Sequence, residues 1–200
     1  MSAYQFAPCP DLSTKEEIFA TWENGFSEDN IKNIIQIGEK YYKQEASVGG
    51  QKENEDISRI RKSEVSWIDL NNETTWIYDK LAYIVRQLNG QFFDFDLYGF
   101  VEHFQYTVYR PDGDHYTWHM DKGSMGGSSP RKLSIVLQLS DPSEYDGGDL
   151  ELFTQSEPIV MRKQRGLICA FPSWIMHRVT PVTRGTRRTL VVWVAGPKFR

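Results

Sequence analysis

A chain of 200 residues, 40% of them hydrophobic and 25% charged, can bury one sizeable core and is too apolar for intrinsic disorder. A formal charge of −4 gives no general attraction to nucleic acid or to an anionic membrane, and no apolar run reaches the roughly 18 residues of a membrane span. Two isolated cysteines, Cys9 and Cys169, make neither a disulfide framework nor a zinc ribbon, and the first residues lack the basic and apolar stretches of a secretory leader, so the expected setting is reducing and cytoplasmic.

Residues 1–26 read as irregular, interrupted by Pro8 and Pro10, with Phe19, Trp22 and Phe26 free to tuck onto a core. Ser27-Glu28-Asp29-Asn30 has the chemistry of a helix start: a serine N-cap, two acids in the first turn, and Asn30 where a capping box usually has Glu. Ile31, Ile34, Ile35 and Ile37 continue it at helical spacing, to about Gln44. Residues 46–56 are polar, contain Gly49-Gly50 and read as a loop. Residues 63–70 can form a strand. Asn72 to Thr75 opens a second helix with Trp76, Leu81, Ile84, Val85 and Leu88 on its apolar face, ended by Asn89-Gly90.

After Gly90 the pattern changes to strands, predicted at about 98–110, 115–121, 132–140, 148–154, 157–163, 166–171, 176–182 and 187–195. The dividers are turn residues such as Pro111-Asp112-Gly113-Asp114, Asp146-Gly147-Gly148 and Arg184-Gly185. Eight strands without intervening helices imply an antiparallel sandwich or barrel, with the two helices covering the outer face of one sheet. Residues 1–97 are thus read as N-terminal helical support and 98–200 as the core of one structural domain, mainly β.

His119-Met120-Asp121 is the first chemical signal. On a strand, residues two apart share a face, about 6–7 Å between Cα atoms, so both side chains can reach one ion. With four His and thirteen Asp in the chain, composition alone produces such a spacing in about one chain of four, so it carries weight only with company. A second isolated histidine, His177, lies on another predicted strand. Two imidazoles and a carboxylate suit Fe(II), Mn(II) or Zn(II), and an open face of that kind favours non-haem Fe(II) oxygenase chemistry. His115 could compete as a ligand, but Tyr116-Thr117-Trp118 is poor helix material and no Glu follows it, so it reads as a surface or substrate-side residue. His103 reads as a hydrogen-bonded structural histidine within a long strand.

On the last strand Arg187, Thr189, Val191 and Trp193 share one face, while Arg188, Leu190, Val192 and Val194 share the other. One face therefore carries a single guanidinium among apolar and hydroxyl groups, and a guanidinium can grip a carboxylate bidentately. A solvated basic turn at Arg184, Arg187 and Arg188 is the plainer alternative. The glycine-containing stretch 122–131 that follows Asp121 reads either as a lid over substrate or as a surface loop.

At this point three motifs resemble the Fe(II)/2-oxoglutarate-dependent dioxygenases of the prolyl 4-hydroxylase-like branch. They are Tyr109-Arg-Pro-Asp-Gly-Asp-His-Tyr116-Thr-Trp-His119-Met-Asp121, the Gly147-Gly148-Asp-Leu strand, and His177-x-Val-x-Pro-Val with Arg187 and Trp193 behind it. The resemblance covers about residues 98–197. It implies a double-stranded β-helix, the jelly roll of cupin-like proteins. It implies His119, Asp121 and His177 as metal ligands, Arg187 as the 2-oxoglutarate anchor, and Tyr109 and Thr189 beside it. Gln138 stands where some relatives place a second co-substrate-binding Tyr, and the turn at Gly185 resembles that of bacterial members. Trp193, Arg131 and Tyr116 become candidate substrate contacts. The implied cofactors are Fe(II), 2-oxoglutarate and O₂, with ascorbate among the additives. The implied activity is hydroxylation of a prolyl residue in a peptide or protein, coupled to succinate formation. A hydroxylase of free amino acids or other small molecules on the same scaffold is the alternative. A non-enzymatic cupin-like metal-binding protein is less favoured, since it would not need Arg187.

Overall fold

The computed structural model describes residues 17–41, 44–46, 55–123, 130–154 and 156–198. The expectations for residues 1–16, for most of the loop at 46–56 and for 124–129 of the candidate lid lie outside the described residues.

In chain order, β1 (Ala20–Trp22) precedes α1 (Glu28–Lys40), β2 (Gln44–Glu45), α2 (Glu55–Ile60), β3 (Arg61–Lys62), β4 (Glu64–Ile68) and α3 (Thr75–Leu88). The strands β5 (Phe104–Tyr109), β6 (His115–His119), β7 (Arg131–Gln138), β8 (Tyr145–Gly147), β9 (Leu150–Phe153) and β10 (Pro158–Val160) follow. The chain continues with β11 (Ile168–Pro172), β12 (Met176–Val179), β13 (Val182–Gly185) and β14 (Arg187–Ala195). The larger sheet has the order β1-β11-β7-β14-β5-β4-β2, the smaller β10-β9-β12-β6-β3, and β13 pairs with β8. Every pairing is antiparallel.

Local chemistry sets the supporting helices. The Ser27 hydroxyl accepts from the Asn30 amide at 3.2 Å and the Asn30 side chain accepts from the Ser27 amide at 3.3 Å, so Asn30 completes the reciprocal box. Ile31, Ile34 and Ile37 of α1 and Ile77, Leu81, Ile84 and Leu88 of α3 are buried on the outer face of the larger sheet. There they meet Phe104, Tyr106 and Val108 of β5, Leu133, Ile135 and Leu137 of β7, and Leu190, Val192 and Val194 of β14. Each such aliphatic side chain contributes about 1.5–3 kcal/mol on burial, set against the entropy of ordering it.

The alternate residues of the same strands face inward: Gln105, Thr107 and Tyr109; Ser134, Val136 and Gln138; Arg187, Thr189, Val191 and Trp193. The larger sheet is therefore buried on both faces, and all six residues of β5 are buried. A second apolar cluster of Val136, Leu150, Leu152, Met161, Cys169 and Phe171 fills one end of the space between the sheets.

Several boundaries differ from those read in the sequence. The strand expected at 98–110 is confined to β5, because 98–103 makes only a single bridge, Gly99 to Ala195, with Gly99 at φ 130°. The strand expected at 176–182 divides at Thr180-Pro181. Proline has no N–H for a ladder, and β12 and β13 part there into different sheets. Residues read as irregular include β1, which pairs with β11. The N-terminal residues thus supply strands as well as helices: β1 and β4 join the larger sheet and β3 joins the smaller. His103 is 62% exposed, outside any strand and 3.7 Å from Asp69, so it is not the strand-bound structural histidine expected. The His115 ring lies 2.8 Å from the Gly113 carbonyl and 3.0 Å from that of Arg59, tying the end of α2 to β6 rather than facing substrate.

Candidate metal centre

His119 ends β6 and His177 lies on β12, and the two are directly opposed across the ladder with ring centroids 4.1 Å apart. Asp121 follows β6 by two residues. Its backbone is held from both sides: Arg131 donates to its carbonyl at 3.2 Å, and the Lys122 amide donates to the Ser173 carbonyl at 2.9 Å. One Asp121 oxygen lies 3.7 Å from His119 Nε2 and the other 3.5 Å from His177 Nε2. The ligating atoms of all three residues lie within 4.8 Å of one another. Bonds of about 2.0–2.2 Å to a common ion require spacings of this order.

The protonation pattern also fits a cation. Nδ1 of His119 lies 2.7 Å from the Thr117 carbonyl and Nδ1 of His177 lies 2.9 Å from the Ile175 carbonyl. A carbonyl can only accept, so in each ring Nδ1 carries a proton and Nε2 is the nitrogen turned toward Asp121. Burial, reinforced by the neighbouring His177, pushes the His119 imidazole down to about 3, so it is neutral at ordinary pH. Burial raises the Asp121 carboxyl, but the two imidazoles and the Ser134 hydroxyl, 2.7 Å from Oδ2, outweigh it and hold the acid below its usual range. Ser134 is in turn 3.0 Å from the Ser173 hydroxyl. Two imidazoles and one carboxylate on a shared face form a donor set for Fe(II) or a similar divalent ion.

Arg187 opens β14 as the Cα partner of Tyr109 on β5, its guanidinium 5.3 Å from the Tyr109 ring centre. It is only 2% exposed, and its Nε has no hydrogen-bond partner among the described residues. No carboxylate among the described residues pairs with it. A buried, uncompensated cation is costly, and it fits a pocket that takes a carboxylate ligand. Arg187 shares a small cavity with Gln138, Tyr145, Gly148, Leu150, Met161 and Cys169. The pair Gly147-Gly148 has a steric reason. Both have positive φ, and a Cβ at Gly148 would sit 2.8 Å from Arg187 Cδ and 2.9 Å from Val182 Cγ2. Thr189, opposite Gln138, is buried on the same inward face.

Of the three candidate substrate contacts, Arg131 and Trp193 lie together, while Tyr116 packs against Tyr109, Val179 and Val182. Tyr116 stacks on the His119 ring at 3.4 Å, and its phenol is raised by burial. Arg131 stacks on Trp193 at 3.7 Å and makes a two-pronged ion pair with Glu102. The Trp193 indole N–H is buried close enough to Asp121 to favour its ionised form, yet has no partner in hydrogen-bonding geometry among the described residues. Tyr145, Ser134 and Glu102 are the residues that sequence reasoning missed. Only the pairing of strands brings them here.

Residues 104–195 match the 2OG-Fe(II) oxygenase superfamily. Among curated proteins, a PKHD-type hydroxylase of Hyphomonas neptunium is 41% identical over 86 residues, which is 42% of this chain and 38% of that protein. One from Teredinibacter turnerae is 37% identical over 94 residues, 45% of this chain and 41% of that protein. The chain thus spans about two fifths of the length of these relatives. Among solved structures, the prolyl hydroxylase of Trichoplax adhaerens in complex with a hypoxia-inducible-factor peptide superposes with a TM-score of 0.74 at 14% identity, covering 90% of this chain and 84% of that one. A Pseudomonas putida prolyl-4-hydroxylase gives 0.67 at 19% identity, covering 90% and 93%. At these identities the structures speak for the fold alone, a double-stranded β-helix. Residues 104–195, just under half of the chain, are thus similar to the 2OG-Fe(II) oxygenase superfamily, and the relatives matched over that stretch are PKHD-type hydroxylases.

Proposed function

We propose that the protein is a 2-oxoglutarate-dependent dioxygenase that hydroxylates a prolyl residue in a peptide or protein. The observation that supports this best is the uncompensated, buried Arg187 beside a His119-Asp121-His177 cluster. A metal-binding protein needs the cluster alone, whereas a keto-acid oxygenase needs both. When bound, Fe(II), 2-oxoglutarate and O₂ supply oxidative decarboxylation to succinate and insertion of one oxygen into a substrate C–H bond. His119, Asp121 and His177 would hold the metal. Arg187, with Tyr109 and Thr189 beside it, receives the distal carboxylate of the co-substrate.

The rest of the chain's part is orientation and exclusion of water. Trp193, Arg131 and Tyr116 put aromatic and cationic groups beside the metal ligands, suited to a peptide chain. The related structures include one carrying a peptide, which favours a proline-containing peptide or protein as substrate. Ascorbate belongs to the same reading as an added reductant. So does a reducing, cytoplasmic setting, in keeping with Cys169 as a buried free thiol. The test is succinate release from 2-oxoglutarate with Fe(II) and O₂, with mass spectrometry of proline-containing peptides for a gain of one oxygen. Absence of both with every peptide, in protein that binds metal, rejects the proposal.

A further inference from the structure

We infer that Tyr145 is a co-substrate-binding residue, its hydroxyl joining Arg187 in holding the distal carboxylate of 2-oxoglutarate. This rests on the reading of the Arg187 cavity as a 2-oxo acid site. The inward-facing position on β7 next to Thr189 is Gln138, where the sequence resemblance expects a second tyrosine in some relatives. Glutamine is shorter than tyrosine. In this chain its side chain ends on another phenol, that of Tyr145, with Nε2 donating to Oη. Tyr145 arrives from β8, which pairs with β13, and β13 leads through Thr186 directly into Arg187. Both residues line the same cavity, and Tyr145 is 1% exposed.

Hydrogen-bond accounting points to an anion. Each phenol can donate once, and each primary amide has two N–H donors. With the amide as placed, the Tyr145 hydroxyl accepts from Gln138 and keeps its own proton to give. With the amide reversed, Tyr145 would donate to Gln138 and the amide N–H groups would be left to give. Either way the Gln138–Tyr145 pair presents an unused donor to a cavity that already contains a guanidinium without a carboxylate partner among the described residues. A ligand oxygen that only accepts is what such a cavity lacks. Lys163 also borders it, but its ammonium is engaged by Asp149 at 2.9 Å and the Gly147 carbonyl at 2.7 Å. It lies 5.1 Å from the centre of the Tyr145 ring, and so braces that ring rather than competing for the ligand.

The test is calorimetric titration of the full-length, Mn(II)-loaded protein with 2-oxoglutarate and with 2-oxopentanoate, which has the same five-carbon chain without the distal carboxylate. Tyr145→Phe keeps the ring that fills the site. It is expected to weaken 2-oxoglutarate binding about ten- to a hundredfold, the worth of one hydrogen bond to a charged group, and to leave 2-oxopentanoate and Mn(II) binding unchanged. Equal affinity of wild type and Tyr145→Phe for 2-oxoglutarate overturns the inference while leaving the proposed function standing. An equal loss for both keto acids also overturns it, marking Tyr145 as structural. A wild-type protein that binds Mn(II) but does not bind 2-oxoglutarate rejects the proposed function, and this inference with it.

Discussion

His119 and His177 face each other across β6 and β12, while the next matched pair along the ladder is Tyr116 with Val179. Two residues, Thr117 and Trp118, thus oppose the single Arg178. This bulge turns Tyr116 to the face that carries His119, where strict alternation would have sent it to the other side, and the two rings stack. The first prediction follows from the ligand geometry. Wild-type protein titrated with Mn(II) to a hundredfold excess over its dissociation constant gains about 2.7 kcal/mol, a rise in Tm of roughly 5–10 °C for a chain of this size. His119→Ala, His177→Ala and Asp121→Asn should each abolish the rise in a thermal-shift titration. A full shift in His119→Ala would refute the ligand assignment.

Gly148 tests the co-substrate pocket from its floor. A methyl group there meets Arg187 Cδ and Val182 Cγ2 at a backbone φ of 62°. Gly148→Ala is therefore expected to lose about 1–3 kcal/mol of stability and to displace the guanidinium. Metal-induced stabilisation should survive, because no ligand contacts Gly148, whereas 2-oxoglutarate affinity should fall several-fold or more. Calorimetry on the Mn(II) form separates the two. Unchanged 2-oxoglutarate affinity would show that Arg187 is not the anchor.

Arg131 and Glu102 are joined, with side chains 15% and 21% exposed. Being partly buried and two-pronged, the pair is worth more than a surface ion pair, and the face of Arg131 also stacks on Trp193. A double-mutant cycle with Glu102→Ala and Arg131→Ala, read by urea unfolding, should give a coupling of about 1–3 kcal/mol. Arg131→Ala should also raise the KM for a peptide substrate more than it lowers kcat. A coupling near zero would mean that the two side chains act independently.

The sequence carried the cluster of His119, Asp121 and His177 because it obeys short-range rules: two residues apart on a strand for His119 and Asp121, and an isolated histidine on another strand. Arg187 was legible because its face of β14 alternates cleanly. The helix start at Ser27 was legible because capping is local chemistry between residues three apart. What stayed hidden depends on pairing across the chain. Tyr145 sits on a three-residue strand too short to leave a periodic signal, and its role exists only because β8 meets β13. The Glu102–Arg131 pair joins residues 29 apart through an irregular segment. The bulge in β6 cannot be counted from one strand, since it is a mismatch with β12.

The last prediction concerns Cys169, which lines the same cavity as Arg187 and is in contact with Met161, Sγ to Sδ 3.4 Å. Burial penalises the thiolate and pushes its pKa up to about 12 from the ordinary 9. The folded protein therefore keeps this thiol protonated at pH 8, and the thiolate is the reactive form. In a Cys9→Ser background, a thiol reagent such as iodoacetamide should modify Cys169 at a rate set by opening or unfolding, far below that of the same chain in urea. The sign of the linkage is fixed as well. Above pH 9 the unfolded thiol loses its proton while the folded one keeps it, so this group makes stability fall as pH rises toward 12. Cys9→Ser/Cys169→Ala should lack that part of the decline. Because the cavity is shared, saturating 2-oxoglutarate with Mn(II) should slow alkylation further. Rapid labelling of native protein at pH 8, at a rate indifferent to 2-oxoglutarate, would contradict both the burial of Cys169 and its place beside the co-substrate.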